Sequence, residues 1–143
     1  MAAFLSKKER EGIVDAIRSA EMDTSGEIRV HIEPECKGDP YLKAAYVFSR
    51  LKMFDTQRRN AVLIYLAYKS HKFAIIGDSG INELVGEGFW NDVRDAMSAD
   101  FASGRFSDGL VSAILSVGRK LKDYFPYQKD DVNEQSDEIS FGE

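Results

Sequence analysis

The chain has 143 residues, of which 43% are hydrophobic and 11% aromatic, a length and composition that fit one globular domain with a hydrophobic core. With 30% charged residues and only three prolines, it does not have the composition of a disordered protein. The single cysteine, Cys36, excludes an internal disulfide and any zinc site built from cysteine pairs.

Neither the first residues nor the rest of the chain shows a targeting or membrane-spanning pattern. The start, MAAFLSKKEREG, lacks the apolar core of a signal peptide, and no segment approaches the roughly 20 apolar residues of a transmembrane helix. We therefore expect a cytoplasmic protein without a membrane segment.

Negative charge is concentrated in the C-terminal tail, residues 126–143. This tail holds six of the 24 acidic residues and one of the 19 basic ones, so the net charge of -5 lies entirely within it. An acidic tail repels nucleic acid and attracts cations. Divalent cations, rather than nucleic acid, are therefore the expected partners.

Hydrophobic periodicity and capping residues predict four helices and three strands. Ser6 and Glu9 form a capping box before the first helix, and Asp39 followed by Pro40 caps the second. The helices are predicted at residues 6–22, 39–54, 87–103 and 107–125. The strands, recognised by alternating or continuous apolar residues, are predicted at residues 27–33, 60–68 and 72–77.

The connections between these strands predict the topology of the sheet. A helical crossover makes the first two strands parallel, whereas the short Lys69-Ser70-His71 link makes a hairpin that reverses the third. Asp78 should then emerge at the edge where the other two strands begin, near residues 55–60. We expect an α/β fold, an α/β/α sandwich with a small mixed central sheet of about four strands flanked by helices.

The domain organisation follows from the same elements. Residues 1–125 are expected to form a single α/β/α domain, and residues 126–143 an acidic C-terminal segment. Ile139 and Phe141 lie beyond most of the tail acids. Apolar residues at that position favour a tail that packs back onto the domain.

The segment Gly77-Asp78-Ser79-Gly80 contains the four residues that surround the nucleophile of trypsin-like proteases. A nucleophilic serine needs a base within hydrogen-bonding distance, and the chain has only two histidines, His31 and His71. His31 lies in the middle of a predicted strand, and His71 lies at the opposite end of the strand that leads to Ser79. We therefore interpret the segment as a turn in which the two glycines supply positive φ angles, and not as a catalytic triad.

Phosphate-binding glycine motifs are absent, and acidic segments remain as candidate sites. Calcium prefers about six to eight oxygen ligands, which glycine-containing loops can present. Two segments have this composition, and their candidate ligands are Asp78, Glu83 and Glu87 in the loop 77–88 and Asp130, Asp131 and Glu134 in the tail. Glu87 could instead favour a helix N-terminus, Glu83 could face solvent, and the tail could be a disordered solubilising end.

The order of several short motifs resembles the TPM domain, a family named for thylakoid-lumen, photosystem-associated and nematode membrane proteins. The motifs are Ser25-Gly26-Glu27-Ile28-Arg29-Val30, Arg59-Asn60-Ala61-Val62-Leu63-Ile64, Ile76-Gly77 through Gly80-Ile81, and the spaced set Phe101, Gly104, Phe106, Gly109 and Leu110. The resemblance implies an α/β/α sandwich, calcium binding in loops at one sheet edge and a weak acid-phosphatase activity. Most bacterial relatives carry a signal peptide and a membrane segment, so that this chain is expected to be a stand-alone member.

We therefore expect a binding module in which the loop 77–88 and the acidic tail are ordered by calcium, or alternatively by magnesium or manganese. Two other hypotheses stay open. One is a weak metal-dependent phosphomonoesterase, in which an aspartate acts as nucleophile or base and an arginine neutralises phosphate charge. The residues for these roles would be Asp78 or Asp55 and Arg58 or Arg59. The other is a protein-interaction module that uses the surfaces of Trp90, Tyr124 or Tyr127.

Overall fold

A mixed four-stranded sheet lies between two layers of helices in the computed structural model, which describes residues 4–128 and 136–142. The strands are β1 (Glu27–Glu33), β2 (Ala61–Ala67), β3 (Lys72–Gly77) and β4 (Ser140–Phe141). The helices are α1 (Lys7–Ala20), α2 (Pro40–Arg50), α3 (Ser79–Asn82), α4 (Asn91–Ala102) and α5 (Phe106–Lys122). This architecture confirms the predicted α/β/α sandwich with its small mixed sheet.

The strands are arranged in the order β3-β2-β1-β4. β1 and β2 run parallel in a register that pairs Glu27 with Ala61, and β3 returns antiparallel to β2 and pairs Gly77 with Val62. The helical crossover and the hairpin therefore agree with the sequence prediction. We call the end of the sheet at which β1 and β2 begin and β3 ends the amino end.

Alternate residues of the central strands face two separate cores. On one face Ile28, Val30 and Ile32 pack with residues of α1, α4 and α5, and on the other Leu63 and Tyr65 pack with residues of α2. All residues of β2 are buried, as expected for a strand that is covered on both faces.

Capping residues explain where the first two helices begin. Ser6 and Glu9 form the predicted capping box at α1. The Asp39 carboxylate accepts a hydrogen bond from the Tyr41 amide at 2.8 Å, and Pro40 takes the first position of α2. Both starts were thus predicted from the residues that satisfy free backbone amides.

The later helices differ from the prediction at their starts. α4 begins at Asn91 and not at residue 87, because Gly88 has a φ of +82° and interrupts helical geometry. Arg105, and not Ser107, is the residue that precedes α5, and its side chain makes no capping hydrogen bond. Within the described ranges, no helix has both the length and the apolar character needed to cross a membrane.

The C-terminal segment returns to the sheet as β4, an element that the sequence pattern did not reveal. Ser140 and Phe141 pair in parallel with His31 and Ile32 of β1, and Ile139 packs against the larger core. Because β4 runs parallel to β1, the residues that precede β4 approach the sheet at its amino end.

Candidate metal centre

Acidic side chains from three separate parts of the chain lie at the amino end of the sheet. Asp78 follows β3 there, and its amide donates to the carbonyl of Ala61 at the start of β2, at 3.0 Å. Glu27 is the first residue of β1. Asp137 lies three residues before β4 and approaches from the outer side of β1. The predicted topology placed Asp78 and the start of β1 at this end, whereas the exact position of Asp137 depends on the pairing of β4 with β1.

The carboxylate of Asp78 is fully engaged by its neighbours. Arg59 donates from Nε to Oδ2 at 2.7 Å and from a terminal nitrogen to Oδ1 at 2.9 Å, and the Ser79 amide donates to Oδ1 at 2.8 Å. This hydrogen-bonded carboxylate is the main cause of a raised pKa at the Arg59 guanidinium. A bidentate pair of this kind neutralises Asp78 and occupies both of its oxygens.

Gly80 explains why the loop after Asp78 has its sequence. A Cβ on Gly80 would lie 2.0 Å from the carbonyl oxygen of Arg58, because the Gly80 amide donates to the carbonyl of Arg59 at 2.8 Å in a close backbone contact. Gly77 and Gly80 do not have positive φ angles, so our interpretation of these glycines as positive-φ turn residues is wrong. Close approach, and not backbone handedness, requires Gly80.

The Gly77-Asp78-Ser79-Gly80 segment is a strand-to-helix turn. Ser79 is the first residue of α3, whose cap is Asp78. His71 lies in the turn before β3, a full strand away from Ser79, and His31 makes its hydrogen bonds with Glu33 and Ser140. Neither histidine therefore serves Ser79 as a base, in agreement with the sequence argument.

The two glutamates of the loop 77–88 are exposed. Glu83 follows α3 and contributes negative charge at Arg59. Glu87 borders a cleft of about 360 Å³ that Trp90 and Arg94 also line. Because α4 begins at Asn91, Glu87 does not occupy the helix N-terminus that the sequence analysis offered as its alternative role.

Glu21 is an acidic residue that the sequence analysis did not select. It follows α1, and its Oε2 accepts a hydrogen bond from the Ile28 amide at 2.9 Å. β4 pairs only with His31 and Ile32 of β1 and does not extend as far as Ile28. The Glu21 carboxyl group therefore accepts the hydrogen bond from the Ile28 amide that a neighbouring strand would otherwise accept.

The Glu21 carboxyl group also contacts the Asp137 side chain of the tail. Burial, followed by the hydrogen bond to Asp137 and the nearby charges of Glu27 and Asp137, raises the pKa of Glu21 to about 10. Arg18 lies beside this pair, with its Nε 3.7 Å from Asp137 Oδ2, but it is 60% exposed. This raised pKa favours a proton held within the Glu21–Asp137 pair at neutral pH.

Family comparison places this arrangement in context. The family model of the TPM domain matches residues 1–120. The chain belongs to the TPM domain family. Among curated proteins, no sequence matches this TPM domain.

Solved structures share the fold of this TPM domain. The BA42 protein from the psychrophilic bacterium Bizionia argentinensis, solved by NMR, is similar to this TPM domain with 47% identity and a TM-score of 0.91, covering 97% of this chain and 96% of that one. Two N-terminal domains have the same fold at lower identity. That of the cg2496 protein from Corynebacterium glutamicum has 14% identity and a TM-score of 0.65, covering 97% of this chain and 80% of that one. That of a protein from P. gingivalis has 20% identity and a TM-score of 0.70, covering 87% and 80%.

The predicted ligands of this TPM domain are only partly described by the structure. The loop acids Asp78, Glu83 and Glu87 have the positions given above. The tail acids Asp130, Asp131 and Glu134 lie outside the described residues. Across residues 4–128 and 136–142, no three histidine, cysteine or acidic side chains form a group that could hold a metal ion as they stand.

Sequence reasoning missed Glu21 and Glu27 for a definite reason. Each was interpreted as the end of a regular element, and neither lies in a glycine-containing acidic loop. The available signal was the acidic spacing itself, because Glu21 and Glu27 flank the short connection between α1 and β1. That signal becomes useful only once the tail is known to pair beside β1.

Proposed function

We propose that this TPM domain binds a divalent cation, with calcium as the favoured ion, at the amino end of the sheet. The ligands would be the carboxylates of Glu21, Glu27 and Asp137, completed by the acidic tail. The observation that carries this proposal is the contact between the Glu21 and Asp137 carboxyl groups. Calcium, magnesium and manganese all prefer oxygen ligands, and calcium best tolerates an irregular set of them.

The contact matters because two ionised carboxylates repel each other strongly unless a positive charge lies between them. A proton held within the pair can play that part, as the raised pKa of Glu21 indicates, while Arg18 remains mostly exposed at one side. A divalent cation can replace the proton and use the oxygens of both groups. Glu27, which is 3% exposed and whose charge acts on Glu21, supplies a further carboxylate.

The tail acids supply the remaining ligands in this proposal. Glu134 is three residues from Asp137, a span of at most about 11 Å along an extended chain. Asp130 and Asp131 lie four and three residues further towards the N-terminus. Calcium binding in loops at one sheet edge, which the resemblance to the family implies, agrees with a site at this end.

The loop acids receive less support as ligands. Asp78 is neutralised by Arg59. β3 is also separated from β1 by β2, a distance of about 10 Å across the sheet. If Glu83 and Glu87 bind an ion, they would form a second and more exposed site.

Calcium titration of chelator-treated protein tests the proposal by thermal unfolding. We expect the midpoint to rise, with about 2.7 kcal/mol of added stability when free calcium is a hundred times its Kd. The paired variant Glu21→Gln with Asp137→Asn should lose most of this increase, whereas Glu83→Gln should keep it. An unchanged wild-type midpoint at millimolar calcium contradicts binding. If calcium raises the midpoint of the paired variant but not that of Glu83→Gln, the ion binds at the loop 77–88 instead.

A further inference from the structure

A serine, a histidine and a glutamate form a hydrogen-bonded chain at the outer edge of the sheet, on the face that α2 covers in part. Ser140 Oγ lies 2.9 Å from His31 Nδ1, and His31 Nε2 lies 3.0 Å from Glu33 Oε1. Ser140 belongs to β4, and the other two residues belong to β1. This is the connectivity of a nucleophile, a base and a group that orients the base.

The surrounding hydrogen bonds fix the direction of proton transfer in this chain. The Tyr65 hydroxyl donates to Glu33 Oε2, and Lys43 Nζ lies 3.6 Å from the same oxygen, so a donor and a cation both contact the Glu33 carboxylate. A carboxylate only accepts, which places the imidazole proton on Nε2. Nδ1 therefore offers its lone pair to the Ser140 hydroxyl, the orientation that activates a serine.

Packing holds the base rigidly. The His31 ring is 7% exposed and stacks on Tyr65, with ring centroids 5.9 Å apart and planes 6° from parallel. Gly142 covers the bond between His31 and Glu33 so closely that a Cβ there would lie 2.4 Å from Glu33 Oε1. The tail can lie over this pair only because residue 142 has no side chain.

The serine itself lies where a substrate can reach it. Ser140 is only partly buried and belongs to the outermost strand in the described sheet. The Gly142 amide bonds the carbonyl of Ile32, so the amide of Phe141, one residue earlier, points away from β1 along the outer edge. That amide directly follows the serine and can donate to a developing oxyanion.

Positive charge lies around the same position. Lys43, which is 41% exposed, and Arg29 are both close enough for their charges to act on His31. A cationic surrounding at a nucleophile favours substrates with a negative charge near the reacting carbonyl.

We propose that Ser140, His31 and Glu33 are the nucleophile, the general base and the positioning residue of a hydrolytic site for carboxylic esters that carry a negative charge. Ser140 Oγ attacks the ester carbonyl carbon, and its proton passes to His31 Nδ1. The bond to the alcohol breaks, and the alcohol leaves with that proton. Water then attacks the acyl-serine, gives one proton to His31 and releases the acid, after which His31 returns the proton to Ser140.

Covalent labelling with an alkyl fluorophosphonate, followed by mass spectrometry, tests the nucleophile. Ser140 Oγ bonds to phosphorus, fluoride leaves, and the hydroxyl proton passes through His31 to solvent. We expect one label per chain, located on Ser140 and absent in Ser140→Ala. Ser136→Ala, which removes a neighbouring exposed tail serine, should label like the wild type. An unlabelled wild type, or an equally labelled Ser140→Ala, overturns the proposal.

The base and its positioning residue are tested by labelling rates. His31→Gln and Glu33→Gln should each slow labelling by about 100-fold or more, the second because a glutamine amide donates to Nε2 and reverses the tautomer.

Burial lowers the pKa of His31 below its usual 6.5, against the opposing effect of Glu33, with Lys43 and Arg29 lowering it further. The rate should therefore be constant at and above pH 7 and fall at lower pH. Protection of the Gly142 amide from hydrogen exchange shows whether β4 still pairs with β1 in each variant. If a variant keeps this pairing and is labelled as fast as the wild type, the roles assigned to His31 and Glu33 are wrong.

The substrate class is tested with two esters of 4-nitrophenol. After subtraction of the rate with Ser140→Ala, which removes intramolecular attack by the succinate carboxylate on its own ester, the succinate monoester should be hydrolysed several times faster than the neutral acetate. Lys43→Met should remove this preference. Equal rates for the two esters in the wild type would overturn the assignment of an anionic substrate.

Discussion

The contact between Glu21 and Asp137 shows how a single carboxyl group can couple the tail to the domain. Glu21 accepts from the Ile28 amide and contacts Asp137, so that it joins α1, β1 and the tail at one point. The raised pKa of Glu21 favours a proton held between the two carboxyl groups at neutral pH. Removal of the proton leaves two carboxylates in contact. The effect of this contact on the free energy of unfolding therefore depends on pH and on whether a cation is bound.

Glu21 should make the cation-free protein less stable as pH rises. Its pKa is raised from 4.5 to about 10, so between these values the folded protein holds a proton that the unfolded chain has released. Stability from this group is fully present below pH 4.5, and it falls by at most about 1.4 kcal/mol per pH unit across the window. Glu21→Gln imitates the protonated group and should remove this slope.

Urea unfolding of both proteins in chelator, at pH 5.5 and pH 8, measures the difference. We expect the free energy of unfolding of Glu21→Gln to increase relative to that of the wild type as pH rises. A difference that stays constant between the two pH values would show that Glu21 ionises normally. Titrating groups that do not interact with Glu21 contribute equally to both proteins and cancel in the comparison, so the difference reports Glu21 together with the carboxyl groups coupled to it.

Sequence reasoning at this scale located Asp78 but not its partner. The hairpin required Asp78 at the amino end, whereas the bidentate pair with Arg59 depends on the close backbone contact at Gly80. In the same way, the search for a base near Ser79 was correct in excluding both histidines. It did not ask which serine His31 could meet, because Ser140 is 109 residues away along the chain.

At the scale of elements, two glycines illustrate how α1 and α5 pack. Gly118 of α5 lies against Ala20, where a Cβ would come within 2.8 Å of the Ala20 Cβ. Gly12 of α1 has no atom within 4 Å of the equivalent position. Both are helical glycines, so they differ mainly in the neighbour that an added methyl group would meet.

Substitution of these glycines by alanine should change stability in opposite directions. Gly12→Ala should stabilise the domain by about 0.5–1 kcal/mol, because alanine is the better helix former. Gly118→Ala should destabilise the domain by about 1–3 kcal/mol, because α1 and α5 must move apart to make room for the methyl group. The better helix propensity of alanine offsets part of this loss. Thermal unfolding of the two variants beside the wild type gives both signs. An increase in midpoint for Gly118→Ala would show that the helix contact is looser than the structure indicates.

Elements with long periodic patterns were predictable, and short ones were not. α1, β1, β2 and β3 follow from capping residues and apolar alternation within their own sequences. β4 has only two residues, and its pairing depends on β1, which leaves no local pattern to recognise. The start of α4 was misplaced because the apolar spacing continues through Phe89, while the backbone at Gly88 does not permit a helix.

For the whole molecule, topology determines where chemistry can occur. Parallel pairing of β4 with β1 brings residue 137 to the amino end and places Ser140 beside His31. The layers and the sheet direction were predictable from element order. The positions of Glu21 and Glu27 relative to the tail were not predictable. They depend on the pairing of β4 with β1, two segments far apart in the sequence, and neither segment alone shows a pattern that indicates this pairing.

The cation proposal depends on Glu21, Glu27 and Asp137 acting as one site, and amide NMR signals of cation-free protein during calcium titration test this most directly. We expect saturable shifts at the amides of Glu27, Ile28 and residues 137–138, and no change in the paired Glu21→Gln, Asp137→Asn variant. Signals at these positions that do not move at millimolar calcium, or shifts confined to residues 78–87, would contradict it.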